Sequence, residues 1–171
     1  MKKILLLFAA LGSLTLSSCN NDDDFVAVDN DTIAEVFELS NIDFALEPGT
    51  GRYTVLYPLD PNIVESDVVL VYRIVNDEGF LVKQPIPRTL YLDGDDEIDY
   101  DFNFSSEDIL FIMDANFDLA DAPAYTQNQS FRVAIVPGYF SSTVDVNDYD
   151  AVMAALKSKN GGKEITIEKI Q

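Results

Sequence analysis

The alternation of apolar and polar side chains is the feature that most constrains how this chain folds. Residues 98–104 read IDYDFNF, which puts four apolar side chains on one face of an extended strand and the polar ones on the other. The same period of two recurs at Ile42/Phe44/Leu46, Tyr53/Val55/Tyr57, Phe131/Val133/Ile135 and Ile165/Ile167. Strands of this kind bury one face against a second layer, so the sequence predicts a protein built mainly of β-sheet.

Two further segments are apolar without alternation. Residues 68–75 read VVLVYRIV, a pattern that predicts a central strand covered on both faces, and residues 109–113 form a second run. The turn-forming residues 76–79 (NDEG) follow the first run, and Phe80-Leu81-Val82 then begins the return strand of a predicted hairpin.

One helix is predicted near the carboxyl end. Asn147 is its expected N-cap, Asp148 and Asp150 suit its first turn, and Gly161-Gly162 suit its end. An apolar stripe at helical spacing is formed by Tyr149, Val152, Met153 and Leu156. A helix that docks on a partner would show the same stripe, but packing on the sheet is the simpler interpretation. About eight strands and one late helix predict an all-β fold, an immunoglobulin-like antiparallel β-sandwich with the α-helix packed on it, as a single domain over residues 32–171.

The amino terminus has the pattern of an export signal. Lys2 and Lys3 precede a short apolar core, and thirteen residues (4–16) are too few to cross a bilayer of about 30 Å. The sequence Leu16-Ser17-Ser18-Cys19 resembles a bacterial lipobox, which implies cleavage after residue 18 and lipidation of Cys19. The alternative is an ordinary secretory signal with an incidental cysteine.

An acidic tether is predicted over residues 19–31. Asp22, Asp23 and Asp24 resemble the export signal that sends Bacteroidetes lipoproteins to the outside of the outer membrane. A solvated linker would have the same composition, and both interpretations are compatible. Asp31-Thr32-Ile33 resembles an O-glycosylation acceptor of the same bacteria, which makes Thr32 the predicted modified residue.

Composition excludes several functions. The chain has 30 acidic and 11 basic residues, no His and one Cys. It therefore lacks a Ser-His-Asp triad, an intramolecular disulfide and a thiolate zinc site, and no cofactor is predicted. Nucleic acid is not an expected partner, because phosphate contacts need a cationic surface. Signal cleavage removes Lys2 and Lys3 and takes the net charge from −19 to −21.

Calcium is the metal to consider in so acidic a chain. The carboxylates of Asp93, Asp95, Asp96 and Glu97 cluster in a predicted turn, and they are weak candidates against a solvated polar turn. Asp114, Asn116 and Asp118 have the first spacing of an EF-hand loop. Leu119 and Tyr125 stand where that loop needs Gly and Glu, so the match fails. No metal site is therefore predicted, and the acids near residue 148 are better explained by helix capping.

Three functions remain open from the residues. The first is a non-enzymatic binding or structural module on the cell surface, attached to the membrane through Cys19, with a protein or glycan ligand. The second is an accessory glycan-binding lipoprotein of a nutrient-uptake system, for which aromatic platforms are expected among Tyr72, Tyr91, Tyr125 and Tyr139. The third, a hydrolase with paired carboxylates, would need two acids facing one pocket.

Three segments resemble a family of small flavobacterial lipoproteins. They read ESDVVLVYRI (65–74), YTQNQSFRVAIVP (125–137) and VDVNDYDAVMAAL (144–156). The resemblance implies an outer-membrane lipoprotein without an established activity. Some relatives are labelled dihydrolipoamide dehydrogenase, a label that these residues oppose, because there is no Cys pair, no GxGxxG motif and no His base.

Overall fold

The computed structural model describes residues 34–171, which form a sandwich of two five-stranded sheets. The first sheet has the order β10-β1-β9-β4-β5 and consists of β1 (Glu35–Ile42), β4 (Asp67–Asp77), β5 (Phe80–Ile86), β9 (Gln129–Pro137) and β10 (Glu168–Ile170). The second has the order β2-β3-β8-β7-β6 and consists of β2 (Ala45–Leu46), β3 (Tyr53–Pro58), β6 (Arg88–Tyr91), β7 (Glu97–Phe104) and β8 (Asp108–Ala115). The α-helices are α1 (Pro123–Thr126) and α2 (Tyr149–Lys159).

The strand order is immunoglobulin-like. In the second sheet β3, β8 and β7 pair as strands B, E and D do in that fold, and in the first sheet β9, β4 and β5 pair as F, C and C′ do. The difference lies beside β9, where β1 takes the place of the last strand and the chain's own last strand, β10, pairs parallel to β1. The predicted sandwich with one late helix is confirmed.

The main core lies between the two sheets and follows from the alternation. On β7, Ile98 and Tyr100 point inward and are almost fully buried, while Phe104 at the strand end is 42% exposed. Inward residues of the other strands complete this core: Phe37, Leu39, Val69, Val71, Ile109, Phe111, Met113, Phe131 and Val133. Full burial of one such side chain contributes about 1.5–3 kcal/mol, which makes this layer the main source of stability.

Helix α2 covers the outer face of the first sheet. Its residues Val152 and Leu156 are buried in a second apolar cluster with Val36, Tyr72, Ala134, Val136 and Phe140. Strands β4 and β9 are therefore covered on both faces, which explains their continuous apolar sequences. The prediction for residues 68–75 was right about burial, but the middle strand of the sheet is β9, and β4 lies next to the edge strand β5.

The predicted N-cap of α2 was wrong by one residue. The cap is Asp148, whose Oδ1 accepts hydrogen bonds from the backbone N–H groups of Asp150 (3.0 Å) and Ala151 (3.1 Å). Asn147 instead donates its backbone N–H to Asp145 Oδ1. An aspartate cap adds a negative charge at the positive end of the helix, which an asparagine does not.

Two predicted strands also differ in the structure. Residues 42–46 do not form one strand, because β1 bulges after Leu39, with Asn41 at a φ of +59°, and β2 then joins the other sheet. Ile165 and Ile167 pack against the α2 cluster ahead of β10. In both places the period of two does not correspond to one continuous strand.

Candidate functional site

The residues predicted to carry the lipid anchor, the export signal and the glycan lie outside the described part of the chain. They are Cys19, Asp22, Asp23, Asp24 and Thr32. Within residues 34–171, no helix is long and apolar enough to span a membrane.

The acidic turn before β7 is closed by an amide. Asn116 donates its side-chain N–H to the carbonyl of Asp95 (2.9 Å) and accepts the backbone N–H of Glu97 (2.9 Å). Asp93 and Asp95 belong to a short 3-10 turn, and the backbone carbonyl of Asp96 accepts the backbone N–H of Leu92. Over the described residues, no three acidic or sulfur side chains converge as metal ligands.

The residues that resemble an EF-hand loop separate in the fold. Asp114 forms an ion pair with Arg52 (Nε to Oδ2, 3.0 Å), Asn116 closes the turn above, and Asp118 caps a 3-10 turn through Ala120 N–H (2.9 Å). Each side chain thus stabilises a different local structure.

The outer face of the second sheet brings several aspartates together. Asp99 accepts a hydrogen bond from the Thr89 hydroxyl (2.5 Å), and Asp101 accepts one from the backbone N–H of Phe102 (2.7 Å). They border one open cavity with Asp114, whose partner is Arg52. These carboxylates therefore already have donors within the fold.

The four candidate tyrosines lie in different surroundings. Tyr72 is buried, and its hydroxyl donates to the carbonyl of Val146 (2.7 Å), so it is no platform. Tyr139 is 49% exposed, with Lys159 Nζ 4.3 Å from its ring centre. Tyr91 is 77% exposed and Tyr125 is half-buried, and both border the same cavity.

A buried arginine forms the inner wall of that cavity. Arg73 lies on β4 with its side chain toward the core and only 8% of its surface exposed. Its Nε and Nη2 donate to Oε1 of Gln129 (3.1 and 3.0 Å), and its guanidinium carbon lies 4.6 Å from the ring centre of Tyr100. Throughout residues 34–171, no carboxylate lies within ion-pair distance of Arg73. Burial lowers its pKa, and the nearby tyrosines oppose this only in part.

Arg88 and Gln84 complete the polar lining. Gln84 lies directly opposite Arg73 in the β4–β5 ladder, and its buried Oε1 has no hydrogen-bond donor among the described residues. Arg88 is exposed at the start of β6, likewise without an ion pair in this part of the chain. The open cavity has a volume of about 480 Å³ and is bordered by Arg73, Val75, Asn76, Asp77, Gln84, Arg88, Thr89, Leu90, Tyr91, Leu92 and Tyr125.

Local chain geometry explains how these residues meet. The β4–β5 turn places Glu78 (φ +49°) and Gly79 (φ +92°) in the left-handed region, a conformation that produces a tight hairpin and sets Gln84 against Arg73. The chain then crosses from β5 in the first sheet to β6 in the second, where Arg88 pairs with Tyr100. The cavity thus lies at the edge where the two sheets are joined.

The ring of Tyr100 packs against the guanidinium of Arg73. Its hydroxyl donates to the carbonyl of Tyr125 (2.8 Å). Burial raises the pKa of Tyr100 to about 12, even though the neighbouring Arg73 lowers it. The phenol is therefore neutral at physiological pH and does not supply the missing negative charge.

The local charge is opposite to that of the chain. Two arginines and one exposed aspartate, Asp77, border the cavity, so its lining carries one net positive charge on a protein of net charge −19. A cavity with low-dielectric walls focuses such a field and attracts anions. A larger cavity of about 660 Å³ lies between the end of α2 and the start of β1, and among its described lining residues no buried side-chain polar atom is without a partner.

Sequence reasoning did not find Arg73. The available signal was a charged residue inside an apolar run, two positions after Val71 and therefore on the core-facing side of its strand. A charge at such a position needs a partner or a function.

No protein-family model, no curated protein and no solved structure matches this chain significantly. The fold and the cavity therefore carry the functional argument.

Proposed function

We propose that the mature chain is a lipid-anchored, non-enzymatic binding module on the outside of the outer membrane, and that the cavity at Arg73 binds an anionic group of its ligand. One observation carries the binding proposal: an arginine that is more than nine-tenths buried, with no carboxylate partner among residues 34–171, borders an open cavity.

The energetic argument concerns the cost of the buried charge. Removing an ion from water costs several kcal/mol unless an opposite charge is provided. Gln129 and the ring of Tyr100 supply only dipoles and a quadrupole to Arg73. A bound anion would supply the missing charge, and hydrogen bonds between a guanidinium and a carboxylate are roughly twice as strong as neutral ones.

Thermal unfolding of the mature lipoprotein in detergent tests the binding proposal. Acetate, compared with chloride at equal ionic strength, should raise the midpoint temperature. Arg73→Met should abolish this rise, and so should Arg88→Ala, which changes an exposed residue and leaves the core intact. Arg52→Ala is the matched control, because Arg52 does not border this cavity and is paired with Asp114. An acetate effect that persists in both cavity variants would contradict the proposal.

A second candidate is an accessory glycan-binding lipoprotein. The observation in its favour is that Tyr91 and Tyr125, two of the four predicted sugar platforms, border the same cavity as the arginines. Tyr91 is 77% exposed and borders the cavity, where a sugar ring could lie against its phenol ring.

The proposed lipid anchor at Cys19 and the proposed export signal are supported by the sequence and by its resemblance to small flavobacterial lipoproteins. Cys19→Ala should release the protein from the membrane fraction, and retention would contradict lipidation. Replacing Asp22, Asp23 and Asp24 with Ala should protect the protein from protease on intact cells while leaving it membrane-bound. Unchanged cleavage by the protease would contradict the export signal.

A further inference from the structure

Two groups that lack a complementary partner among the described residues lie side by side at the Arg73 cavity. Arg73 is a cation without an anion, and Oε1 of Gln84 is a buried acceptor without a donor among the described residues. The two residues are directly paired across β4 and β5, so their side chains leave the same face of the sheet next to each other. One small molecule could complement both groups only if it carried a negative charge and a hydrogen-bond donor close together.

The charge of the lining indicates how many negative charges that molecule has. Arg73 and Arg88 contribute two positive charges and Asp77 contributes one negative charge, so a single negative charge neutralises the lining. Each further charge would be repelled by the strongly acidic surface of the protein. A monocarboxylate fits this balance better than a dianionic phosphate or sulfate ester.

The rest of the lining is suited to hydroxyl groups. Asn76, Thr89 and Tyr125 add neutral polar side chains to the lining, and the volume of about 480 Å³ is within the range of small-ligand sites. Asn76 Oδ1 accepts the Gly79 N–H and the Thr89 hydroxyl donates to Asp99, so the Asn76 amide N–H and the lone pairs of the Thr89 oxygen are the groups left for a ligand. The exposed ring of Tyr91 borders the opening. Polar groups of this kind recognise a polyhydroxylated body attached to the carboxylate.

We infer that the cavity binds a hydroxylated monocarboxylate of the uronic-acid class, with its carboxylate between the guanidinium groups of Arg73 and Arg88 and one hydroxyl donating to Oε1 of Gln84. This inference rests on the proposed anion-binding function and adds the chemical class of the ligand. The donor that meets Gln84 distinguishes a hydroxy acid from a simple anion.

Titration calorimetry of the mature lipoprotein in detergent, with four probes, tests the inference. Glucuronate carries both groups, glucose lacks the carboxylate, acetate lacks the hydroxyls, and inorganic sulfate is a dianion without a hydroxyl. Glucuronate should bind at least about tenfold tighter than acetate or sulfate, the factor expected for one buried hydrogen bond that neither of these anions can donate, and glucose should not bind. Gln84→Met should bring the affinity for glucuronate down to that for acetate and leave acetate binding unchanged.

The outcomes separate the two claims. If sulfate or acetate binds the wild-type protein as tightly as glucuronate, in an Arg88-dependent way, the hydroxy-acid inference fails and the anion site stands. If neither acetate nor glucuronate binds, or if Arg73→Met and Arg88→Ala bind them as the wild type does, the proposed function fails as well. The comparison of probes on the wild-type protein does not depend on whether any variant folds.

Discussion

Two buried arginines lie on neighbouring strands of one sheet, and only one of them has a carboxylate partner among the described residues. Arg132 on β9 and Arg73 on β4 are each 8% exposed, and they project from opposite faces of the first sheet. Arg132 faces α2, donates to the carboxylate of Glu38 through Nη2, and donates to the Tyr149 hydroxyl through Nη1 (2.6 Å). Arg73 faces the space between the sheets and has only neutral partners within the described residues.

The two arginines differ in whether the fold itself supplies a counter-ion for the buried charge. On the α2 side of the sheet, Lys169 Nζ lies 3.5 Å from the other carboxylate oxygen of Glu38, so each charge at the Arg132 site has a counter-ion, and the one buried atom without a partner there among the described residues is Arg132 Nε. Arg73 lies beside an open cavity, where a counter-ion can enter from solution. Arg132 therefore has a structural role, and Arg73 is suited to binding.

The largest expected effect is the loss of Arg132. Arg132→Met should lower the free energy of unfolding by about 3 kcal/mol, because it leaves the largely covered Glu38 carboxylate (14% of its side chain exposed) with Lys169 as its remaining ion-pair partner. Urea denaturation of the mature protein measures this change. The control is Arg52→Met, whose exposed ion pair with Asp114 should contribute less than about 1 kcal/mol. Equal effects of the two substitutions would break the comparison.

Removal of both charges should be less harmful than removal of one. Glu38→Met combined with Arg132→Met eliminates the stranded carboxylate, so the double variant should be more stable than Arg132→Met alone by about 1–2 kcal/mol. A double-mutant cycle in urea gives the coupling energy. Strict additivity would mean that Glu38 does not neutralise Arg132.

Loss of Arg73 should change stability little. Arg73→Met removes two hydrogen bonds to Gln129, but it also removes a buried charge that has no counter-ion in residues 34–171, so the net change should be within about 1 kcal/mol in buffers without carboxylates. The same denaturation experiment measures it. A loss of unfolding free energy as large as that of Arg132→Met would show that Arg73 is a structural residue and would contradict a binding role.

The smallest expected effect is a dependence on pH. Burial raises the pKa of Glu38, but its hydrogen bond and charge contacts with Arg132 and Lys169 outweigh this and hold it below the ordinary value of 4.5. The carboxylate therefore contributes stability that is complete above that ordinary pKa and is lost as the pH falls through the lower value in the folded protein. Between pH 6 and pH 3, the wild type should lose more stability than Glu38→Gln in thermal unfolding. Parallel curves would contradict this role.

The sequence predicted the layers because they depend on local periodicity. The alternation over residues 98–104 and the stripe on α2 each decide which side of one element is buried, and the structure agrees on both. The break between β1 and β2 was missed because a bulge at Asn41 sends the chain to the other sheet without interrupting the apolar period.

The site was missed because its residues meet through long-range pairing. Gln129 is 56 positions from Arg73, and Tyr100 and Arg88 come from the opposite sheet. The sequence shows that Arg73 interrupts an apolar run, but only the register of β4 against β5 and β9 shows that no carboxylate is placed beside it in the described chain. The cap of α2 was missed for a local reason: Asn147 and Asp148 are adjacent, and both residue types are good helix caps.

The position of β1 has a mechanical consequence. Its residues Phe37, Glu38 and Leu39 are hydrogen-bonded on two sides, antiparallel to β9 and parallel to β10. A pull along this strand from the chain ahead of residue 35 would load both ladders in shear, so their bonds would have to break together and not in succession. The first strand that follows the predicted tether is thus hydrogen-bonded on both sides. Its neighbour β9 pairs in turn with β4, the strand that contains Arg73.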